Sequence, residues 1–135
     1  MLDTNLFVAA YWNRRSASAK VLSACLDGRL SLYYSEQIRK EILLILRNIR
    51  AKDEFRKRVD KVLAAGTEIG VPGFLAVVKD DPEDDKFLEC ALYARAEYVV
   101  TSDDHLLRMK EFEGIRIVKP TEMRDVFAPH EPSVE

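Results

Sequence analysis

Met1-Leu2-Asp3-Thr4-Asn5 opens the chain, and the remaining sequence is organised around it. An apolar pair runs directly into an acid, a hydroxyl and an amide, and a further apolar run follows. This order predicts a buried strand that ends in a cluster of polar side chains. Ligands of open α/β sheets bind outside the carboxyl ends of the strands, so the cluster marks a candidate site.

Length and composition are those of one ordinary globular domain. The 135 residues are 47% hydrophobic and 33% charged, with few glycines or prolines. No apolar run approaches the roughly 20 residues that span a bilayer, and no secretory signal is visible. We therefore expect a single domain over residues 1–127 and a disordered tail over 128–135. The expected location is the cytoplasm, with no membrane partner.

The cysteines and histidines give no sign of a metal site or a nucleophile. Cys25 and Cys90 fall inside helical patterns and lack the spacing of zinc ligands, so buried reduced thiols are expected. His105 and His130 show no ligand spacing either.

Strand-like and helical patterns alternate along the chain. After the opening strand, strands are predicted over residues 30–34, 74–78, 96–101 and 115–118. Helices are predicted over residues 35–50, 53–65, 84–95, 103–110 and 120–127, and over a segment that Ser16 or Ser18 caps and Gly28 ends. Residues 7–12 fit a helix or an irregular loop, and residues 66–73 fit a turn region. The alternation predicts a mostly parallel sheet with helices on both faces.

Four acids follow predicted strands or lie on the helices after them. They are Asp3, Glu41, Asp85 and Asp103. Glu41 has the helical spacing of a buried stripe, where an acid needs a partner. Asp84 competes with Asp85, since helical spacing brings both to the same face. In a parallel sheet all of these positions lie at one edge.

Clustered carboxylates repel one another and raise each other's pKa, which a bound cation relieves. Mg²⁺ and Mn²⁺ prefer oxygen ligands and often complete their coordination with water and substrate phosphates. Phosphoryl transfer is the chemistry that uses such a site, where the metal activates water and stabilises the leaving oxygen. No arrangement of His, Ser or Cys residues competes for this role.

Charge is unevenly distributed although the formal net charge is only −2. Residues 39–61 hold nine basic residues against four acids, whereas residues 80–89 hold six acids and one lysine. A basic band beside an acidic cluster suits a polyanion held over bound cations. A solvated helix face and an acidic loop explain the same distribution. The residues that could guide RNA are Arg39, Lys40, Arg47 and Arg50.

Four segments, in this order and spacing, resemble the PIN-domain family, and specifically its toxin branch. They are Leu2-Asp3-Thr4-Asn5, then Ser35-Glu36-Gln37-Ile38 with Glu41, then Asp80-Asp81-Pro82-Glu83-Asp84-Asp85-Lys86-Phe87-Leu88, and finally Ala96-Glu97-Tyr98-Val99-Val100-Thr101-Ser102-Asp103. The resemblance extends over most of residues 2–127. It implies a three-layer α/β/α, flavodoxin-like fold with a mostly parallel twisted sheet. Family members usually carry several more residues before the first segment, so either the first strand is very short here or the start site has been set late.

The resemblance also implies a function and roles for individual residues. Members are metal-dependent ribonucleases that leave a 5′-phosphate and a 3′-hydroxyl. Asp3, Asp85 and Asp103 would hold Mg²⁺ or Mn²⁺, and Glu41 would complete the catalytic set. Asn5 and Thr101 would hydrogen-bond to those carboxylates. The interval to the Thr-x-Asp motif favours Asp85 over Asp84.

The implied partners are RNA, a small inhibitory antitoxin protein and a second copy of the chain. Two other hypotheses stay open on sequence. One is a PIN-like domain that has lost catalysis and serves as a binding module, which the abbreviated strand favours. The other is a receiver-like signalling domain with an acidic pocket at the same edge. A receiver needs an acid at the end of a mid-chain strand, and residues 30–34 contain none.

Overall fold

The computed structural model describes residues 1–72 and 85–127, in which seven helices alternate with five short strands. The predicted strand at 74–78, the acidic loop at 79–84 and the predicted tail at 128–135 lie outside the described residues. The elements are α1 (Asn5–Trp12), α2 (Ala17–Leu26), β1 (Tyr33–Ser35), α3 (Glu36–Asn48), α4 (Asp53–Ala65), β2 (Thr67–Ile69), α5 (Asp85–Ala94), β3 (Tyr98–Val100), α6 (Asp104–Leu107), β4 (Glu111–Phe112), β5 (Ile115–Val118) and α7 (Pro120–Phe127).

The strand pairing is mostly parallel, as predicted. β1 pairs with β2 in parallel, and β3 pairs with β5 in parallel, while β4 is antiparallel to β5. The abbreviated first strand reduces to a single parallel bridge between Leu2 and Val100. Two backbone hydrogen bonds of 2.9 Å fix this bridge, from the Val100 N–H to the Met1 carbonyl and from the Asp3 N–H to the Val100 carbonyl. The start of the chain is therefore registered against β3, and the predicted α/β fold is confirmed.

Local capping chemistry explains where two helices begin. The Ser16 hydroxyl accepts from the Ala19 N–H at 3.1 Å, so Ser16 rather than Ser18 caps α2. The Ser35 hydroxyl accepts from the Ile38 N–H at 3.2 Å and caps α3. Gly28 follows α2 with a φ of 87°, the left-handed conformation that glycine adopts without strain.

The helices pack chiefly around α2 and α5, and α1 also contacts α3. α2 contacts α1, α4 and α7, whereas α5 contacts α3 and the strands β1, β2 and β3. The apolar stripe of α3 is buried, and its members include Ile38, Ile42 and Leu46. These buried side chains join the core cluster that also contains the bridge residue Leu2. The segment after residue 4 is a helix, which settles the open choice for residues 7–12.

Three sequence predictions were wrong in detail. Residues 67–69 were assigned to a turn region but form β2, because Thr67 pairs with Tyr33 in register. β1 begins later than predicted and ends in the capping residue Ser35. β4 was not predicted, since its two residues pair only across the turn at Gly114, whose φ is 82°.

Two further predictions concern the cysteines and the presence of membrane-spanning helices. Cys25 and Cys90 are both free and buried, as predicted, and burial raises the pKa of each thiol to about 11. Within residues 1–72 and 85–127, no helix combines the length and the apolar character needed to cross a membrane.

Candidate active site

Asp3 lies at the point where the short first strand passes into α1. Its backbone N–H is bonded to the Val100 carbonyl, and the residue is only 3% exposed. Thr4 follows as the residue before α1 and is also buried. A charged side chain is rarely this buried without specific partners, so the surroundings of the Asp3 carboxylate decide what it can do.

Both oxygens of the Asp3 carboxylate accept hydrogen bonds. The Thr101 hydroxyl donates to Oδ2 at 2.7 Å, and the Asn5 backbone N–H donates to Oδ1 at 3.1 Å. Thr101 itself is completely buried at the end of β3. Asn5 contributes its backbone rather than its side chain, and the residue is exposed. These contacts fix the orientation of the carboxylate against the sheet edge.

Burial raises the pKa of Asp3 above its ordinary value, and the carboxylates of Asp103 and Glu41 raise it further. The hydrogen bonds from Thr101 and Asn5 act in the opposite direction but do not cancel the rise. Three acids that are distant in sequence therefore interact electrostatically, as expected if they lie at one sheet edge. Their mutual repulsion is the kind of cost that a bound cation removes.

Asp103 lies two residues after Thr101 and caps α6. Its carboxylate accepts from the His105 N–H at 2.8 Å, and its own N–H donates to the Thr101 hydroxyl at 3.0 Å. The His105 ring nitrogen Nδ1 lies 3.6 Å from the same carboxylate. The Thr101 hydroxyl thus connects the backbone of Asp103 to the carboxylate of Asp3.

Glu41 on α3 forms an ion pair with Lys86 on α5. The side chain of Lys86 is 10% exposed and that of Glu41 is 34% exposed, so the cation is shielded from solvent and the acid is half-buried. The stripe position of Glu41 predicted that this acid needs a partner, but the sequence did not identify Lys86. The structure therefore supplies that partner from α5.

Asp85 is the first residue of α5 and is 8% exposed. Asp84 lies outside the described residues, so the choice between these two acids stays open. Glu89, one helical turn after Asp85, is 4% exposed and was missed by sequence reasoning. The i, i+4 spacing of Asp85 and Glu89 is the signal that could have found it.

Thr4 provides a further polar atom that sequence reasoning did not single out. Its side-chain hydroxyl is buried and has no hydrogen-bond partner within residues 1–72 and 85–127. A buried hydroxyl without a partner is uncommon and carries a desolvation cost. Thr4 is the residue that follows Asp3 in the sequence.

A metal ion at this site would need side-chain ligands in a suitable arrangement. In the described part of the chain, no three His, Cys, Asp or Glu side chains are arranged so that they could hold a metal directly. Mg²⁺ typically binds through one or two carboxylates and keeps several waters. The buried Asp3 carboxylate, with Asp103 and Glu41 raising its pKa, fits such a hard cation in the chemistry of its donors.

The four cations predicted to guide RNA differ in their surroundings. Arg39 forms an ion pair with Glu68 at 2.5 Å, and Lys40 forms one with Glu36 at 2.8 Å. Arg47 and Arg50 are exposed, and neither forms an ion pair with an acid in the described ranges. A role for the four in RNA binding stays a prediction.

Comparison with known proteins agrees with the fold. The PIN domain model matches residues 1–105, which include Asp3, Glu41, Asp85 and Asp103. The chain belongs to the PIN-domain family. PIN domains are generally nucleases, so the family membership places this protein among the hydrolases. The family match also removes the receiver-like hypothesis.

One curated relative also matches the chain. An uncharacterized protein of Methanocaldococcus jannaschii is 27% identical over 116 residues, which cover 82% of this chain and 74% of that protein. No solved structure matches the chain significantly.

Proposed function

We propose that this PIN domain is an endoribonuclease that depends on Mg²⁺ or Mn²⁺ and acts on RNA in the cytoplasm. The observation that carries the proposal is the Asp3 carboxylate. It is 3% exposed, is held by the Thr101 hydroxyl and the Asn5 N–H, and has a pKa raised by burial and by Asp103 and Glu41. A structural acid has no need of neighbours that raise its pKa, whereas a cation ligand benefits from them.

Asp3, Asp85 and Asp103 are the proposed cation ligands, and Glu41 is the proposed fourth member of the catalytic set. When bound, a divalent cation would neutralise these carboxylates, activate water and stabilise negative charge on the scissile phosphate. Thr101 fixes one oxygen of Asp3 and receives the N–H of Asp103, so it positions two of the acids. Water then attacks phosphorus in line, the bond to the 3′-oxygen breaks, and that oxygen takes up a proton.

The test is RNA cleavage in the presence of Mn²⁺ by the wild-type protein and by Asp3→Asn, Glu41→Gln and Asp103→Asn. We expect each variant to cleave more than about 100-fold more slowly than wild type, because loss of a ligand costs at least as much as loss of an outer-shell partner. Asp104→Asn is the matched control, since Asp104 is an exposed acid beside Asp103. Equal cleavage by all of these proteins would contradict the proposal.

The family resemblance supports a further proposal, that the protein is the toxin of a toxin–antitoxin pair and forms a homodimer. Induced expression of the wild-type protein would then stop bacterial growth, and expression of Asp3→Asn would not. If both proteins arrested growth, the toxicity would not depend on RNA cleavage. Growth by both, with RNA cleavage retained in vitro, would favour a nuclease outside such a pair. Sedimentation of the purified protein measures the oligomeric state.

One observation favours a second candidate function, a catalytically inert binding module. Within residues 1–72 and 85–127, the first strand contributes a single bridge, between Leu2 and Val100, so few inter-strand hydrogen bonds among these residues hold the backbone that carries Asp3. A folded wild-type protein that binds RNA but leaves it intact with Mn²⁺ would establish this alternative.

A further inference from the structure

A cavity of about 220 Å³ lies between α1, α2 and α4, at the opposite end of α1 from Asp3. Aromatic rings and cations dominate its lining. The lining residues that matter here are Tyr11, Phe55, Arg14, Lys20, Lys52 and Arg58. Glu54 is the one acid among the lining residues that the structure describes. Neither the proposed catalytic acids nor the predicted RNA-guiding cations take part in it.

The aromatic wall is held in place and partly open to solvent. The Tyr11 ring packs edge-on against Phe55, with ring centroids 5.0 Å apart, and its hydroxyl accepts from the Lys52 N–H at 3.2 Å. Trp12 does not line the cavity, but its ring packs edge-on against Tyr11, with centroids 4.9 Å apart. Trp12 is 68% exposed, so a large aromatic side chain stands in solvent beside the cavity. Such rings are platforms on which nucleic-acid bases stack.

The cations around the cavity are available to a ligand. Arg14, Lys20 and Lys52 are exposed, and Arg58 donates to the Ser23 hydroxyl. Across residues 1–72 and 85–127, no acid forms an ion pair with any of these four residues. The four predicted RNA-guiding cations differ, because two of them, Arg39 and Lys40, are already paired with acids. Unneutralised cations beside aromatic rings match a phosphate backbone that carries unpaired bases.

The cavity and the proposed catalytic acids are connected by one short helix. Asp3 lies just before the first turn of α1, and Tyr11 lies in its last turn. Eight helical residues at about 1.5 Å each span roughly 12 Å, so a single RNA strand can reach both positions at once.

We propose that this cavity and the exposed Trp12 ring beside its lining residue Tyr11 form a binding site for single-stranded RNA, in which an unpaired base stacks on Trp12 while Arg14, Lys20 and Lys52 contact the flanking phosphates. The inference rests on the proposed ribonuclease function for its choice of RNA as the ligand. An acidic protein segment would neutralise the cations, but it would not make stacking contacts with the exposed aromatic ring. The combination of rings and cations therefore favours nucleic acid.

Trp12 provides the measurement, because it is the only tryptophan in the chain. A short single-stranded RNA is titrated into the full-length protein in EDTA, so that binding is measured without cleavage. We expect quenching of Trp12 fluorescence as a base stacks against it. Trp12→Ala, followed by the anisotropy of labelled RNA, is expected to bind roughly tenfold more weakly, the size of effect found when a stacking ring is removed.

Charge reversal tests the phosphate contacts. Arg14→Glu and Lys20→Glu should each weaken RNA binding about tenfold and lower the slope of log affinity against log salt by about one. Lys57→Glu is the matched control, because it makes the same change in net charge at an exposed position on α4 outside the cavity. This control should bind RNA as wild type does.

The outcomes separate this inference from the proposed function. RNA binding without a change in Trp12 fluorescence, or an equal loss of affinity in Lys57→Glu, would overturn the cavity as an RNA site. Binding of an acidic peptide at the cavity with no binding of RNA would overturn it in favour of a protein partner. RNA that binds through the cavity but is never cleaved with Mn²⁺ would support the cavity and refute the ribonuclease.

Discussion

The Thr101 hydroxyl donates a 2.7 Å hydrogen bond to the Asp3 carboxylate across a sequence separation of 98 residues. The same hydroxyl accepts the N–H of Asp103, so one buried side chain connects two of the proposed cation ligands. Parallel pairing of the first residues with β3 makes this contact, because it brings the end of both segments to the same edge.

Thr101→Val keeps the shape of the side chain and removes the hydroxyl. We expect the free energy of unfolding to fall by about 1–3 kcal/mol, because the buried Asp3 carboxylate loses a donor and the Asp103 N–H loses an acceptor. RNA cleavage should slow as the two acids lose their fixed orientation. Thr101→Ser retains the hydroxyl and is the control. Urea unfolding of the three proteins measures the difference, and equal stability of all three would contradict the assigned contact.

Asp3→Asn should gain stability relative to the metal-free wild-type protein as the pH rises from about 4 to neutrality. The folded-state pKa of Asp3 is raised, chiefly by burial. The stability that this group contributes is therefore fully present below its unfolded-state pKa and is lost as the pH rises through the folded-state pKa. Asparagine removes that pH-dependent loss, although its amide cannot accept both of the hydrogen bonds that the carboxylate accepts. Thermal unfolding in EDTA at a series of pH values measures this, and a wild-type protein that gains stability over Asp3→Asn as the pH rises would contradict it.

Asp85→Asn and Asp84→Asn separate the two acids that helical spacing left in competition. Asp85 is buried at the first position of α5. Its replacement should lower Mn²⁺-dependent cleavage by more than about 100-fold. Asp84→Asn makes the same chemical change one residue earlier and should leave cleavage close to the wild-type rate. The reverse result would transfer the ligand role to Asp84.

Lys86→Met removes the cation that pairs with the half-buried Glu41 carboxylate. We expect the metal-free protein to lose about 1 kcal/mol of stability, because the carboxylate keeps part of its contact with water. Mn²⁺ should restore part of this loss, since a bound cation takes over the neutralisation of Glu41. Lys40→Met is the control, because Lys40 pairs with Glu36 on an exposed helix face, where solvent screens the pair and its loss should have little effect. Equal losses in both variants, or no recovery with Mn²⁺, would argue against a shared site.

Much of the fold was predictable because its signals are local. The spacing of Ile38, Ile42 and Leu46 marks α3, and Ser35 supplies the cap that begins it. By contrast, β2 depends on pairing with β1 across more than 30 residues of chain, as in the register of Tyr33 with Thr67. Gly66 carries a related constraint: a Cβ there would lie 2.8 Å from the Leu32 carbonyl oxygen. Such long-range fits leave no periodic pattern in the sequence.

The candidate site likewise contains residues that the sequence predicted and residues that it did not. Asp3, Thr101 and Asp103 follow predicted strands, so topology placed them at one edge before their contacts were known. The pairing of Lys86 with Glu41 and the burial of the Thr4 hydroxyl were not predictable, because both depend on tertiary packing. The cavity beside Trp12 was missed for the same reason, since its cations come from three different parts of the chain.

Calorimetric titration of Mn²⁺ into wild type, Asp3→Asn and Asp104→Asn tests the central claim most directly, because the claim is that buried Asp3 belongs to a divalent-cation site. Wild type and the exposed-acid control Asp104→Asn should bind Mn²⁺ with equal affinity. Asp3→Asn should bind more than about tenfold more weakly, given that even outer-shell changes cost this much. An Asp3→Asn protein that is folded and binds Mn²⁺ as tightly as wild type would contradict the account.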